Sequence, residues 1–162
     1  MSVKVICAAS APARGVRKNP ASIKVVYTTS AIAVGGRDGI TGTTDGRFEV
    51  KVARPKELGG RNDGTNPEQL FASGYAASFL NSMQLMAWQS GAEVPADAEV
   101  MATVGLGLCP EGGLGLEIIL DIALPGMPAR EAEALIKKAY QVCPYSKAMR
   151  NNVAVKLGLI ET

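Results

Sequence analysis

The sequence predicts an α+β fold, with a mostly antiparallel sheet, a long central helix and a second helix. Three observations predict it. Stretches rich in β-branched or alternating residues, bounded by Gly, Pro and Asp, occur on both sides of a helical segment. Residues 66–91 carry helix start and stop signals around a small, apolar run. Residues 128–143 place apolar side chains at 3-4 spacing.

The elements follow in order. SIKVVYTTSAIAV at 22–34 reads as a strand, and GGRDG at 35–39 as a turn. ITGTTDGRFEVKVA at 40–53 reads as a hairpin, because Asp45-Gly46 suits a turn that needs positive φ. Arg54-Pro55 ends it, and GGRNDGTN at 59–66 is a loop by composition. Asn66 is a good N-cap, Pro67 fits the first helical position, and Gln69 sits at the capping-box position. The helix should run from Pro67 to about Gln89 and stop at Gly91. Phe71, Gly74, Tyr75, Ser78 and Ser82 share one stripe of it, and Ser78 is placed to bond back to the carbonyl of Gly74.

Strands are expected near 98–108 and 114–124. GLGLCPEGGLG between them has the glycines of a phosphate loop but joins strand to strand, so it reads as a hairpin loop. Pro128 opens the second helix, whose spacing puts Ala132, Leu135, Ile136, Ala139, Tyr140 and Cys143 on the buried face. Pro144 interrupts it, and NVAVKLGLI at 152–160 closes the chain as a strand. No repeat, linker or second domain is visible.

Composition narrows the function. The chain has 162 residues, enough for one domain with a real core, and is 47% apolar and 20% charged. A net charge of +2, with three Phe, four Tyr and one Trp, gives no basic, aromatic-laced surface for nucleic acid. No apolar run reaches the roughly 18 residues needed to cross a bilayer. The three cysteines, Cys7, Cys109 and Cys143, are too few and too scattered for a disulfide framework or a Cys-only metal site, and fit a reducing compartment. Histidine is absent, which removes Ser-His-Asp and Cys-His nucleophile systems and every His-containing zinc site. A serine hydrolase at Ser78 is further disfavoured because GYAASF lacks the G-x-S-x-G elbow.

The first 37 residues contain no Asp or Glu but carry Lys4, Arg14, Arg17, Lys18, Lys24 and Arg37. VKVICAASAPA has too short an apolar core for a signal peptide. Residues 1–21 therefore read as an N-terminal extension of a cytoplasmic protein, with an organellar transit segment as the alternative, and 22–162 as the domain.

Three separated stretches carry a resemblance: TTSAIAVGGRDG, PKELGGRNDGTNPEQLFASGYAASF and VCPYSKAMRNNVAVKL. In combination they resemble the organic hydroperoxide resistance (Ohr) proteins of the Ohr/OsmC superfamily, from about Ser22 to the C-terminus. The resemblance implies an intertwined homodimer with active sites at the subunit interface. It implies a thiol peroxidase with no cofactor, acting on organic, lipid-type hydroperoxides. A peroxidatic cysteine attacks the O–O bond and becomes a sulfenic acid; a resolving cysteine condenses with it; a dihydrolipoyl-bearing protein reduces the disulfide. Carried over by motif, the resolving cysteine is Cys143, the assisting arginine is Arg37 in GGRDG and the glutamate is Glu68 in NPEQ.

The peroxidatic cysteine belongs at the fifth position of GY-x-A-x-F, and here that position is Ser78. One atom differs, oxygen for sulfur, while the other motif residues are intact. That pattern reads as an engineered Cys→Ser substitution rather than a natural variant, since a drifting enzyme loses several parts, and it predicts a chain that does not turn over. The alternative is a non-catalytic binding protein of the same fold, holding an apolar oxidised ligand or a lipoylated partner. Phe71, Tyr75, Phe79, Met83, Met86 and Tyr145 are expected to line the apolar substrate groove. Without the resemblance, Arg37 reads as a solvated turn residue, Glu68 as a first-turn acid and Cys143 as a small core hydrophobe. Ten residues of unbroken helix put Glu68 about 15 Å from Ser78, so Arg37 must bridge them, the helix must break near Ser73-Gly74, or one group must come from the other subunit.

Overall fold

The computed structural model describes residues 3–8 and 23–160. In chain order the elements are β1 (Val3–Ala8), β2 (Ala31–Val34), β3 (Ile40–Thr43), β4 (Glu49–Lys51), α1 (Pro67–Gln89), β5 (Glu99–Leu108), β6 (Leu114–Ala123), α2 (Ala129–Val142), α3 (Pro144–Met149) and β7 (Val155–Ile160). Residues 3–8 and 71–160 form one compact unit, and residues 23–70 form another. The fold is α+β, with one long helix, a second helix and mostly antiparallel pairing, as the sequence predicts.

The first unit is a four-stranded sheet in the order β1-β7-β6-β5. β5 and β6 pair antiparallel from Glu99↔Ala123 to Leu108↔Leu114, the hairpin expected from the Gly/Pro loop between them. β6 and β7 pair parallel, because α2 and α3 carry the chain back across the sheet. Alternation decides the faces. Ile118, Leu120 and Ile122 of β6 and Val155, Leu157 and Leu159 of β7 enter one core. Tyr75, Phe79, Met83 and Ala87 of α1 and Ala132, Leu135, Ile136 and Ala139 of α2 complete it, so both helices cover the same sheet face.

β1 was not expected as part of this sheet. Val3–Ala8 pairs antiparallel with β7, from Val3↔Ile160 to Ala8↔Lys156, with a register shift between Val5 and Cys7. The acid-free VKVICA stretch thus supplies an edge strand within the segment 1–21. The rest of that segment, and with it the leader reading, lies outside the described residues.

The second unit holds a three-stranded antiparallel sheet, β2-β3-β4. The β3–β4 turn is built as its residues demand. Gly46 takes φ 71°, and the Asp45 carboxylate accepts from the Thr43 hydroxyl at 2.6 Å and the Arg47 amide at 3.1 Å. The strand expected over 22–34 is shorter: only Ala31–Val34 pairs. Ile23, Val25, Val26 and Tyr27 are exposed, Val26 at 91%. β-branched residues favour a pleated surface only where a neighbouring edge supplies the pairing, and here the β3 register ends at Ala31↔Thr43.

α1 runs unbroken over 23 residues. Its start is a reciprocal capping box: the Gln69 amide donates to Asn66 Oδ1 at 2.9 Å, and the Asn66 amide donates to Gln69 Oε1 at 3.0 Å. Its end is the Gly91 stop, with Gly91 at φ 70° and the Ala92 amide closing on the Ala87 carbonyl at 2.9 Å. Among the described residues, no helix is long and apolar enough to cross a membrane.

Candidate active site

Cys143 stands where α2 gives way to α3. The 3-4 spacing of α2 carries it to the buried face, and Pro144 starts the next helix immediately after it. The side chain is fully buried, and its thiol is free. Facing it from α1 is Ser78, whose Oγ lies 3.6 Å from Cys143 Sγ, within reach of an O–H···S contact. The expected bond from Ser78 to the Gly74 carbonyl is not the one it makes. That backward bond is made one turn later, where the Ser82 hydroxyl donates to the Ser78 carbonyl at 2.7 Å.

Hydroxyl groups surround the sulfur. Ser146 is fully buried, and its Oγ is 2.9 Å from the Tyr75 hydroxyl, itself at 0% exposure. Burial pushes the Cys143 thiol up, but the Ser146 amide and hydroxyl and the hydroxyls of Ser78 and Ser82 favour the thiolate and hold it below the ordinary thiol value. Tyr75 goes the other way: burial outweighs the Ser146 hydrogen bond and pushes it up to about 12. The cluster therefore contains one acidified thiol and one phenol that stays neutral. The sequence names Ser78, Cys143 and Tyr75 but misses Ser146. Its signal is the Cys-Pro-Tyr-Ser spacing, which sets a serine one helical turn after the cysteine.

An aromatic group adjoins this cluster. Phe71 stacks on Tyr145, with ring centroids 6.0 Å apart. Tyr75 meets Phe71 edge-on at 5.9 Å and Tyr145 at 5.6 Å. Gly74 makes room for them, since a Cβ there would sit 3.1 Å from the Tyr145 hydroxyl. Phe71 is half-buried and Tyr145 partly exposed, so this wall reaches the surface. Phe79 and Met83 lie deeper: both are fully enclosed in the core, and Met86 packs against it.

In the other unit Arg37 and Glu68 form a bidentate pair, Nη1 to Oε2 at 2.9 Å and Nη2 to Oε1 at 2.6 Å. The GGRDG turn delivers Arg37. Gly35 and Gly36 take φ 78° and 59°, and a Cβ on Gly39 would strike the Val34 carbonyl oxygen at 1.8 Å, so only glycine lets the chain close there. Asp38 adds a tie to the Arg54 guanidinium at 2.7 Å. Glu68 sits in the first turn of α1. The Arg37 hydrogen bonds hold its carboxyl below the usual carboxylate range against the opposing effect of burial. Cys109 is a free thiol on the β5–β6 hairpin. Among the described residues, no group of three or more His, Cys, Asp or Glu side chains is arranged to hold a metal ion.

Comparison with known proteins gives the chain its family. The family model of OsmC-like proteins matches residues 60–158. An organic hydroperoxide resistance protein of Xanthomonas axonopodis pv. citri is 47% identical over 137 residues, spanning 84% of this chain and 96% of that protein. OhrA of Bacillus subtilis is 43% identical over 143 residues, spanning 84% and 97%. Among solved structures, an organic hydroperoxide resistance protein from Legionella pneumophila superposes with a TM-score of 0.81 at 45% identity, covering 85% of this chain and 100% of that one. One from Vibrio cholerae, with captopril bound in one of its active sites, also gives 0.81, at 40% identity over 86% and 95%. The chain belongs to the OsmC-like family, with the organic hydroperoxide resistance proteins among its relatives.

Proposed function

We propose that this chain is an organic hydroperoxide reductase in which Ser78 occupies the place of the peroxidatic cysteine. The contact of Ser78 Oγ with Cys143 Sγ at 3.6 Å carries the reading. A disulfide forms between cysteines whose Cα atoms lie roughly 4.4–6.8 Å apart, and the Ser78 side chain already reaches the buried free thiol from the facing helix.

With cysteine at 78, its thiolate attacks the peroxide. An S–O bond forms, the O–O bond breaks, and the departing alkoxide takes a proton to leave as alcohol. The resulting sulfenic acid condenses with Cys143: an S–S bond forms and water leaves. A dihydrolipoyl group on a partner protein then reduces the disulfide to two thiols. By family resemblance Arg37 is assigned to hold the reacting thiolate charged and Glu68 to fix the guanidinium, with which it pairs bidentately. Phe71, Tyr75 and Tyr145 are assigned to the apolar part of the substrate. The protein acts as an intertwined homodimer. With serine at 78 the cycle does not start, because the hydroxyl is far less acidic and its oxygen has no comparable sulfenic state.

The test is Ser78→Cys. The revertant should reduce cumene and lipid hydroperoxides rapidly, with dihydrolipoamide preferred over thioredoxin, while the serine chain stays inert. An inert revertant, or an active serine chain, overturns the reading. Ser78 itself favours a second reading, a non-catalytic protein that holds an apolar oxidised ligand or a lipoylated partner. A serine codon at position 78 of the parent gene supports this binder, and a cysteine codon supports the enzyme.

A further inference from the structure

The bend that presents Cys143 interrupts the backbone hydrogen-bond ladder of α2. α2 is regular up to Cys143, whose amide donates to the Ala139 carbonyl at 2.8 Å. The next donor in the ladder belongs to residue 144. That residue is proline, which has no N–H, so the Tyr140 carbonyl loses its intrahelical partner. The chain then turns into α3, and the Gln141 carbonyl loses its partner too. Both carbonyls are answered by one side chain. Arg150 Nη2 donates to the Tyr140 carbonyl at 3.0 Å and to the Gln141 carbonyl at 3.2 Å. Its guanidinium lies over the Tyr140 ring, 5.6 Å from the centroid. Arg150 is also the C-cap of α3, its amide donating to the Ser146 carbonyl at 2.9 Å. The segment from Tyr140 to Arg150 is thus tied end to end, with Cys143 inside the loop and a cation at the C-terminal end of α2.

We propose that Arg150 is a positioning residue for Cys143: it replaces the backbone donors lost at Pro144 and fixes the bend that holds the Cys143 sulfur against residue 78. The proposal rests on the reading of Cys143 as the resolving thiol. Arg150 donates to the backbone that leads into Cys143 and acts through it. Its removal therefore acts on the second chemical step, disulfide closure, and not on the first, attack of the residue-78 thiolate on peroxide.

The test uses the Ser78→Cys chain with Arg150→Met or Arg150→Lys added. Single-turnover kinetics with cumene hydroperoxide give the rate of the first oxidation. Intact mass and thiol counting give the rate of closure and the fraction over-oxidised to sulfinic acid. A misplacement of about 1 Å costs up to 100-fold in an intramolecular step, so Arg150→Met should slow closure about 10-fold or more. The first oxidation should hold within about twofold, and the sulfinic fraction should rise. Arg150→Lys should lose less, because lysine keeps the cation and donors but cannot lie flat over Tyr140. Closure at the parental rate in both variants overturns the inference, as does an equal loss in both steps, which would mark general damage. Should Arg150→Met not fold, Arg150→Lys decides alone: parental closure and parental over-oxidation overturn the proposal. Failure of the Ser78→Cys chain itself to form any disulfide with Cys143 overturns the peroxidase reading and this inference with it.

Discussion

Tyr75→Phe removes one oxygen from the centre of the site and has two separable consequences. The first is a lost hydrogen bond. Tyr75 and Ser146 are both fully buried, and their oxygens are 2.9 Å apart. Phenylalanine fills the same ring volume but leaves the Ser146 hydroxyl without its phenol partner. A buried group stripped of a partner costs about 1–3 kcal/mol. At the middle of that range, a domain of this size loses roughly 4–8 °C of melting temperature. The paired change Tyr75→Phe with Ser146→Ala should cost less than the two single losses together, by about 0.5–3 kcal/mol of coupling. The second consequence concerns pH. Burial raises the Tyr75 phenol to about 12, against about 10 in an unfolded chain. A raised folded value means the stabilisation is whole below the unfolded pKa and is lost as pH rises through the folded one. The parent chain should therefore lose stability between about pH 10 and 12, and Tyr75→Phe should flatten that limb. Urea melts from pH 7 to 12 on the four chains measure both effects. Additive losses, or an alkaline limb unchanged by Tyr75→Phe, would refute the reasoning.

Two further outcomes follow from the same electrostatics. Cys143 should form its thiolate at lower pH than an ordinary thiol does, read as thiolate ultraviolet absorbance with Cys7 and Cys109 replaced by serine; Ser146→Ala should move that midpoint upward, because the hydroxyl that favours the thiolate is gone. Glu68, held low by Arg37, contributes stability that is present above about pH 4.3 and fades as pH falls through its lower folded value. Glu68→Gln should cost about 1 kcal/mol or less at neutral pH, since the Arg37 side chain is 35% exposed and can rehydrate, and the difference from the parent should shrink in acid melts.

What the sequence discloses and what it hides divides along a physical line. Local chemistry is legible. The Asn66–Gln69 box, the Pro67 start, the Gly91 stop and the Asp45-Gly46 turn each need only their own neighbours, and each forms as read. The 3-4 spacing of α2 likewise puts Cys143 in the core. Pairing across the chain is not legible in this way. VKVICA and KVVY are alike in β-branched content, yet Val3–Ala8 finds the free edge of β7 while residues 23–30 join no strand. Nothing within either stretch states which edge is available. The same holds for Ser146 and Arg150. Each acquires its role from a group that the fold brings to it: the Tyr75 hydroxyl for one, the carbonyls freed by Pro144 for the other.

On the proposed cycle, the identity of residue 78 matters to Cys143 as well as to peroxide. A serine hydroxyl beside the sulfur is a donor and carries no charge, so it favours the Cys143 thiolate. A cysteine thiolate at the same place would do the reverse, because two like charges at this separation cannot both form freely, and their protons leave in coupled steps. Cys143 would then stay protonated while residue 78 carried the charge needed to attack peroxide. Once that residue became a neutral sulfenic acid, the repulsion would vanish, and the Ser146 and Ser82 donors would again favour the Cys143 thiolate when it must attack. On the proposed cycle the hydroxyl cluster would therefore serve the second thiol rather than the first step, and in the serine chain the same donors favour the Cys143 thiolate.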